Sequence, residues 1–211
     1  MTNNFGLPGS PVAPSATKER IGRGHVFWFF GLSGAGKTTL ATALAQRLRK
    51  DRPVMLLDGD VVRAGLSSDL GFSDEARAEN IRRAAEVTKL AVEQGYVVLA
   101  AFITPHESLR QLARTIVGRD RLDLIWVDAP LAICRQRDPK GLYRKSEAGL
   151  IPSFTGVDAV FEEPDQFDGL RMQTDRHTVE ETGLILAEYC QRRFAEVAAA
   201  RSSLPRVDLV G

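Results

Sequence analysis

The sequence predicts an α/β fold: a five-stranded parallel sheet with helices on both faces and a mobile lid. Three observations carry this. Short apolar runs suited to buried strands alternate with stretches of helical periodicity, the pattern of repeated βαβ units. The first of these runs passes directly into a glycine-rich turn that opens a helix. Later, Asp138 to Asp165 turns polar, is punctuated by Gly and Pro, and is basic at its start (Lys140, Arg144, Lys145). A long irregular segment inside a compact domain reads as a functional lid.

Taken in order, residues 1–24 are rich in Pro, Gly, Ser, Asn and Thr and are expected to form a flexible tail, with Lys18, Arg20 and Arg23 near its end. A single domain is expected over residues 25–200. Val26 to Phe30 is its first strand, followed by Gly31-Leu32-Ser33-Gly34-Ala35-Gly36-Lys37-Thr38-Thr39. The spacing is G-x-x-x-x-G-K-S/T, placed between strand and helix as a phosphate-binding loop requires. Gly31, Gly34 and Gly36 let the backbone curl so that N–H groups point inward at phosphate oxygens; Ser33, Ala35 and Thr39 complete the loop. The helix beginning near Lys37 adds its N-terminal partial charge. Lys37 would reach the β- and γ-phosphates and the Thr38 hydroxyl would hold Mg²⁺. The fold is therefore expected to be that of P-loop NTPases, with ATP and Mg²⁺ as cofactors.

After the loop's helix, Pro53 to Leu57 reads as a buried strand that ends in Asp58-Gly59-Asp60 and delivers two carboxylates where ligands bind in open α/β sheets. Ser73 to Glu93 is helical: Ser73, Asp74 and Glu75 suit its start, Ile81, Ala84, Ala85, Thr88, Ala91 and Val92 share a face, and Gly95 suits its end. Tyr96 to Ile103 is a strand, Pro105 to Val117 a helix, Leu122 to Val127 a strand, and Leu131 to Arg137 a helix. The lid, about 138–165, follows. Leu170 to Thr174 reads as a last strand, Val179 to Ala200 as a long helix, and residues 201–211 as a tail.

A net charge of +1 offers no global field for nucleic acid or an anionic membrane, and no apolar run approaches a membrane span. The two cysteines, Cys134 and Cys190, lack ligand spacing, and Cys134 sits in an apolar helix, so free thiols in a reducing cytoplasm are expected. The three histidines, His25, His106 and His177, are scattered and read as structural, with His106 set apart by its place after Thr104-Pro105.

Among the polar residues, Asp58 and Asp60 suit a site that needs carboxylates for metal and a group to accept a hydroxyl proton. Asp60 is the candidate base. Arg63, three residues on, suits an acceptor carrying phosphate or sulfate. Arg82 and Arg83 read as a solvated helix face. Phe72 and Phe154 suit either a stacked base or the core.

Several segments together resemble the adenylylsulfate kinases, which phosphorylate the ribose 3′-hydroxyl of adenosine 5′-phosphosulfate. They are Gly31 to Thr39; Leu57 to Asp60 with Arg63 and Gly65-Leu66; Leu70-Gly71-Phe72-Ser73 with Arg77; Glu79 to Arg83; Phe102-Ile103 with Pro105-His106; Val127 to Pro130; Arg137-Asp138-Pro139-Lys140-Gly141-Leu142-Tyr143; and Phe154-Thr155-Gly156. The resemblance implies that Arg63, Phe72, Arg77, Asn80 and Ile103 bind the sulfonucleotide, with Phe154 stacking on its adenine. It implies that Asp60 acts at the 3′-hydroxyl and Mg²⁺, that Thr104 stands for the family's serine, and that Lys140 and Lys145 belong to the closing lid. It implies small-molecule nucleotide substrates and a homodimer, for which the helix around Ile81 to Val92 could supply an interface. This sequence departs from the family's pattern at Val61, Thr104, Glu107 and Arg144-Lys145-Ser146-Glu147. The two glutamates sit where positive charge is usual and raise one alternative, a kinase of the same fold with a different nucleotide or small polar acceptor. A non-catalytic nucleotide-binding regulator is a further alternative.

Overall fold

Strands β1 (His25–Phe30), β2 (Val54–Asp58), β3 (Val97–Ala101), β4 (Leu122–Asp128) and β5 (Leu170–Gln173) form one parallel sheet in the order β2-β3-β1-β4-β5. This arrangement comes from a computed structural model, which describes residues 24–151 and 153–202. The expected tail before Gly24, with Lys18, Arg20 and Arg23, lies outside the described residues, as does the chain beyond Ser202. The helices are α1 (Lys37–Leu48), α2 (Gly59–Ala64), α3 (Asp74–Glu93), α4 (Glu107–Val117), α5 (Leu131–Arg137), α6 (Leu142–Glu147) and α7 (Val179–Ser202).

Successive side chains of a strand point to opposite faces, and the sequence supplies apolar groups at both. Phe27, Phe29, Leu99, Ile125 and Val127 pack on one face with Leu40 and Leu44 of α1 and Leu186 and Cys190 of α7. Val26, Trp28, Phe30, Leu124 and Trp126 pack on the other with Ile81, Ala84, Ala85 and Val92 of α3 and Leu109 and Ala113 of α4. Removing a ring such as Phe27, which is fully buried, costs about 3–5 kcal/mol.

Ser73 caps α3: its hydroxyl accepts from the Ala76 N–H at 3.2 Å. Ile81, Ala84, Ala85, Thr88, Ala91 and Val92 are all buried in this chain's own core. The face expected as a possible dimer interface is thus consumed by packing on α4 and the sheet. One further expectation changes. Strand β2 is half-buried rather than buried, because it lies at the sheet edge. Asp58-Gly59-Asp60 runs from the end of β2 into α2, which is capped by the Asp58 carboxylate, accepting from the Asp60 N–H at 2.9 Å. Within the lid, a short helix α6 interrupts the irregular chain. Asp138 caps its start, accepting from the N–H groups of Tyr143 at 3.2 Å and Arg144 at 3.3 Å.

The connections on the two sides of β1 leave in different directions at its C-terminal end, the switch point at which such sheets form a crevice.

Candidate active site

That crevice is a cavity of about 700 Å³, within the size of a small-molecule site. Its floor is the phosphate-binding loop. Gly31 has φ +142°, and a Cβ there would lie 2.2 Å from the Val127 carbonyl oxygen; Gly34 has φ +76°, with the Cys134 carbonyl 2.9 Å from any Cβ. Only glycine lets the loop lie this close to β4 and α5. Gly36 ends the loop at φ +107° as the N-cap of α1. Lys37 folds back so that Nζ donates to the carbonyls of Gly31 at 2.9 Å and Leu32 at 2.7 Å. Burial of the ammonium, with Cys134 and Asp58 opposing and Lys140 reinforcing, pulls its pKa down to about 8. An anion over the loop would relieve this cost of a buried charge.

Beside the loop, Thr38 Oγ1 donates to Asp58 Oδ2 at 2.6 Å. Asp58 belongs to β2, separated from β1 by β3, and its register partner is the small Ala101, which leaves its path across β3 open. The acid that pairs with the loop therefore comes from the second strand away rather than from an adjacent one. Asp60 stands exposed on α2 and takes an ion pair from Lys140 of the lid. Thr38, Asp58 and Asp60 present only hard oxygen donors, the set that suits Mg²⁺ shared with phosphates. Among the described residues no group of three or more His, Cys, Asp or Glu side chains forms a complete metal cage.

The opposite wall is a basic, aromatic shelf. Arg63 Nη1 donates to the Gly71 carbonyl at 2.9 Å, and its guanidinium lies over the Phe72 ring, 4.5 Å from the centroid. Burial, then repulsion from Arg77, lowers the pKa of Arg63. Arg77 ties the shelf to the lid: Nε donates to the Phe72 carbonyl at 3.0 Å, Nη1 to Thr155 Oγ1 at 3.2 Å, and Nη2 to the Ser153 carbonyl. Asn80 is buried with its Oδ1 unpartnered and lines the cavity. A buried amide oxygen without a donor is costly unless a ligand supplies one. Phe154 stands edge-on to Tyr143, centroids 5.1 Å apart, and Tyr143 OH donates to the Ser33 carbonyl at 3.0 Å, so the lid touches the loop directly.

Of the expected site residues, Ser33 through Thr39, Asp58, Asp60, Arg63, Phe72, Arg77, Asn80, Ile103, Thr104, Lys140 and Phe154 line this one cavity. Two do not. Gly31 lies beneath it as loop backbone, and Lys145 is exposed on α6, directed away by the helix that Asp138 caps. Thr104 lines the cavity, but its hydroxyl is already engaged, accepting from Trp28 Nε1 at 3.0 Å. The two departing glutamates lie elsewhere. Glu107 holds Arg110 and Gln111 on α4, Glu147 lies 3.6 Å from Arg135, and neither lines the cavity. Arg82 and Arg83 form surface ion pairs with Glu79, and Arg83 also with Asp69. His25 is buried against Asp123 at 2.9 Å, a structural role, whereas His177 lines the cavity.

Sequence reasoning misses Arg137 and Thr174. Arg137 Nη1 donates to Thr174 Oγ1 at 3.0 Å and Nη2 to the Thr174 carbonyl at 2.7 Å, while the Thr174 hydroxyl donates to the Ala35 carbonyl at 2.7 Å. Arg137 opens the motif that runs to Tyr143, and that position was the one signal that could have found it. Thr174 lies beyond the last of the family-like segments and carries no signal.

The chain matches the family model described as adenylylsulphate kinase over residues 23–171. It is 55% identical over 157 residues to an adenylyl-sulfate kinase of Escherichia coli O1:K1, covering 74% of this chain and 78% of that protein. To the adenylyl-sulfate kinase of an Enterobacter species it is 54% identical over 171 residues, 78% of this chain and 85% of that one. Among solved structures it resembles the Mycobacterium tuberculosis APS kinase CysC in complex with AMPPNP and APS, with TM-score 0.72, 41% identity, and 78% of this chain and 96% of that one covered. It also resembles a hexameric APS kinase from Thiobacillus denitrificans, with TM-score 0.59 and 30% identity, covering 83% of this chain and 30% of that one. With that match, and with the loop, the two aspartates and the arginine shelf around one cavity, the chain belongs to the adenylylsulfate kinase family and is an ATP-dependent kinase.

Proposed function

We propose that this cavity transfers the γ-phosphoryl group of ATP to the 3′-hydroxyl of adenosine 5′-phosphosulfate, with its two walls dividing the work. The observation that carries the proposal is the union, in one crevice, of a complete phosphate loop with a shelf built from Arg63, Phe72, Arg77, Asn80 and Phe154. The loop N–H groups and Lys37 cradle the β- and γ-phosphates. Thr38, Asp58 and Asp60 would hold Mg²⁺, which when bound supplies positive charge against the phosphates. On the shelf, arginine forks suit the phosphosulfate, Asn80 supplies an amide to a buried polar group, and Phe154 offers a face to adenine. Asp60 orients the 3′-hydroxyl and accepts its proton as the oxygen–phosphorus bond forms and the bond to ADP breaks. Lys140, which lines the cavity and ion-pairs with Asp60, brings a positive charge of the lid to the side where the phosphates would lie. The lid, touching the loop through Tyr143 and the shelf through Arg77, excludes water from the transfer.

The altered-acceptor alternative loses its support, since Glu107 and Glu147 stand outside the cavity. A homodimer remains part of the proposal on resemblance alone, and sedimentation of the purified protein tests it. A cytoplasmic location is supported by two buried free thiols, Cys134 and Cys190; no helix among the described residues is long and apolar enough to cross a membrane. The decisive experiment follows ADP release from Mg²⁺–ATP with and without adenosine 5′-phosphosulfate at low micromolar concentration. Strong stimulation with a 3′-phosphorylated product is expected. ATP binding without stimulation would overturn the acceptor assignment.

A further inference from the structure

Arg110, in the first turn of α4, is 1% exposed yet does not line the cavity. A buried cation persists only where its donors are met. Here the guanidinium divides its donors between two segments distant in sequence. Nη1 donates to the carbonyls of Thr104 at 3.2 Å and Pro105 at 3.3 Å, and Nη2 to the carbonyl of Glu162 at 3.0 Å. Its Nε donates to the Glu107 carboxylate at 2.7 Å, and its plane lies over Phe30, 4.9 Å from the ring centroid. Glu162 closes the same junction from the other side. Its N–H donates to the Pro105 carbonyl at 2.9 Å, and its carboxylate accepts from the Glu107 N–H at 2.7 Å and faces His106 Nδ1 at 3.0 Å.

What this junction holds is a strained piece of the cavity wall. Thr104 has φ +43°, a region that a β-branched residue occupies only when its surroundings over-determine it. Trp28 holds its hydroxyl and Arg110 its carbonyl. Ile103, Thr104 and Pro105 all line the cavity.

We infer that Arg110 is a positioning residue for the transfer: with Glu162 it locks the returning arm of the lid to the turn that carries Ile103, Thr104 and Pro105. The seating of the lid and the shape of the acceptor wall are then set together, by a group that touches neither nucleotide. This rests on the proposed reading of the cavity as an acceptor site. The side chains of the junction bond to no residue of the phosphate loop; the turn meets that loop through a backbone bond, from the Gly31 N–H to the Ile103 carbonyl at 3.1 Å, which none of these side chains makes, so ATP affinity is expected to stay unchanged when they are altered.

The test compares Arg110→Lys, which keeps the charge but loses the fork, with Glu162→Ala and Glu162→Gln at the exposed end of the junction. KM for each substrate, kcat, ATP affinity by calorimetry and the thermal midpoint are measured for all. Arg110→Lys and Glu162→Ala are expected to raise the acceptor KM on the order of ten- to a hundredfold while ATP affinity stays unchanged. Glu162→Gln, whose amide oxygen can still accept from the Glu107 N–H, is expected to recover most of the loss. If Arg110→Lys does not fold, Glu162→Ala and its rescue decide alone. An unchanged acceptor KM in the folded variants, or an ATP affinity that falls in step with it, overturns the inference. Wild-type protein without acceptor-dependent turnover overturns the functional reading first and this inference with it; normal wild-type turnover with indifferent variants overturns the inference alone.

Discussion

The two walls of the cavity are built on different principles. The phosphate wall is nine consecutive residues, Gly31 to Thr39, whose working groups are mostly backbone N–H aimed by glycine geometry and a helix terminus. The wall proposed for the acceptor gathers side chains from α2, α3, the β3–α4 turn and the lid, and Arg77 by itself bonds to Phe72, Ser153 and Thr155. A contiguous backbone site has few ways to vary. A dispersed side-chain site depends on packing for its shape and can be tuned piecewise, which fits one chemistry of phosphate binding serving many acceptors.

The sharpest break of this comparison is at Lys37. Lys37→Ala is expected to lower kcat by about a thousandfold or more with the fold intact, since its charge opposes that of the transferring group. Its pKa of about 8 also predicts a pH signature. ATP binding should take up a proton and weaken about tenfold per unit as pH rises above about 8, with no such dependence below it, because the free lysine must first regain its charge. Calorimetry in buffers of different ionisation heat reads this, and an equal pH dependence in Lys37→Met would remove the assignment.

Asp60→Ala comes next, with an expected loss of about a hundredfold to ten-thousandfold in kcat and little change in stability, because Asp60 is exposed. An active Asp60→Ala enzyme would leave the 3′-hydroxyl without its assigned base. On the acceptor wall, Arg77→Lys is expected to raise the acceptor KM about ten- to a hundredfold with the KM for ATP unchanged. A parallel loss for both substrates would mean that the two walls are not separable. The smallest effect belongs to the departures. Glu147→Arg places positive charge at an exposed position that pairs with Arg135 outside the cavity, so steady-state kinetics should change less than about twofold, as for an exposed charge. A large gain in acceptor affinity would return the altered-acceptor reading to contention.

The same division separates what is legible in the residue order from what is not. Strand and helix positions follow from apolar runs and periodicity, because both sheet faces are covered and β1, β3 and β4 are largely apolar throughout. Strand β2 misleads: its apolar run reads as a buried strand, but edge position depends on strand order, which no local pattern encodes. The short helix α2 is hidden because Asp-Gly-Asp is equally good turn chemistry, and only the Asp58 cap decides for helix. Lys145 looks like a lid cation by proximity to Lys140, yet one turn of α6 sends it to solvent.

From the sequence by itself follow the nucleotide loop and the parallel α/β class, since each rests on local spacing or on short segments with fixed chemistry, and the resemblance picks out candidate site residues most of which line one cavity. What required the fold is who meets whom. Asp58 reaches Thr38 across β3, Arg137 and Thr174 join over the loop, Glu107 and Glu147 fall outside the cavity, and Arg110 ties a lid to a strained turn. Each of these is decided by how segments distant along the chain come together. Such meetings are set by sheet order, helix capping and close packing, none of which a residue carries by itself.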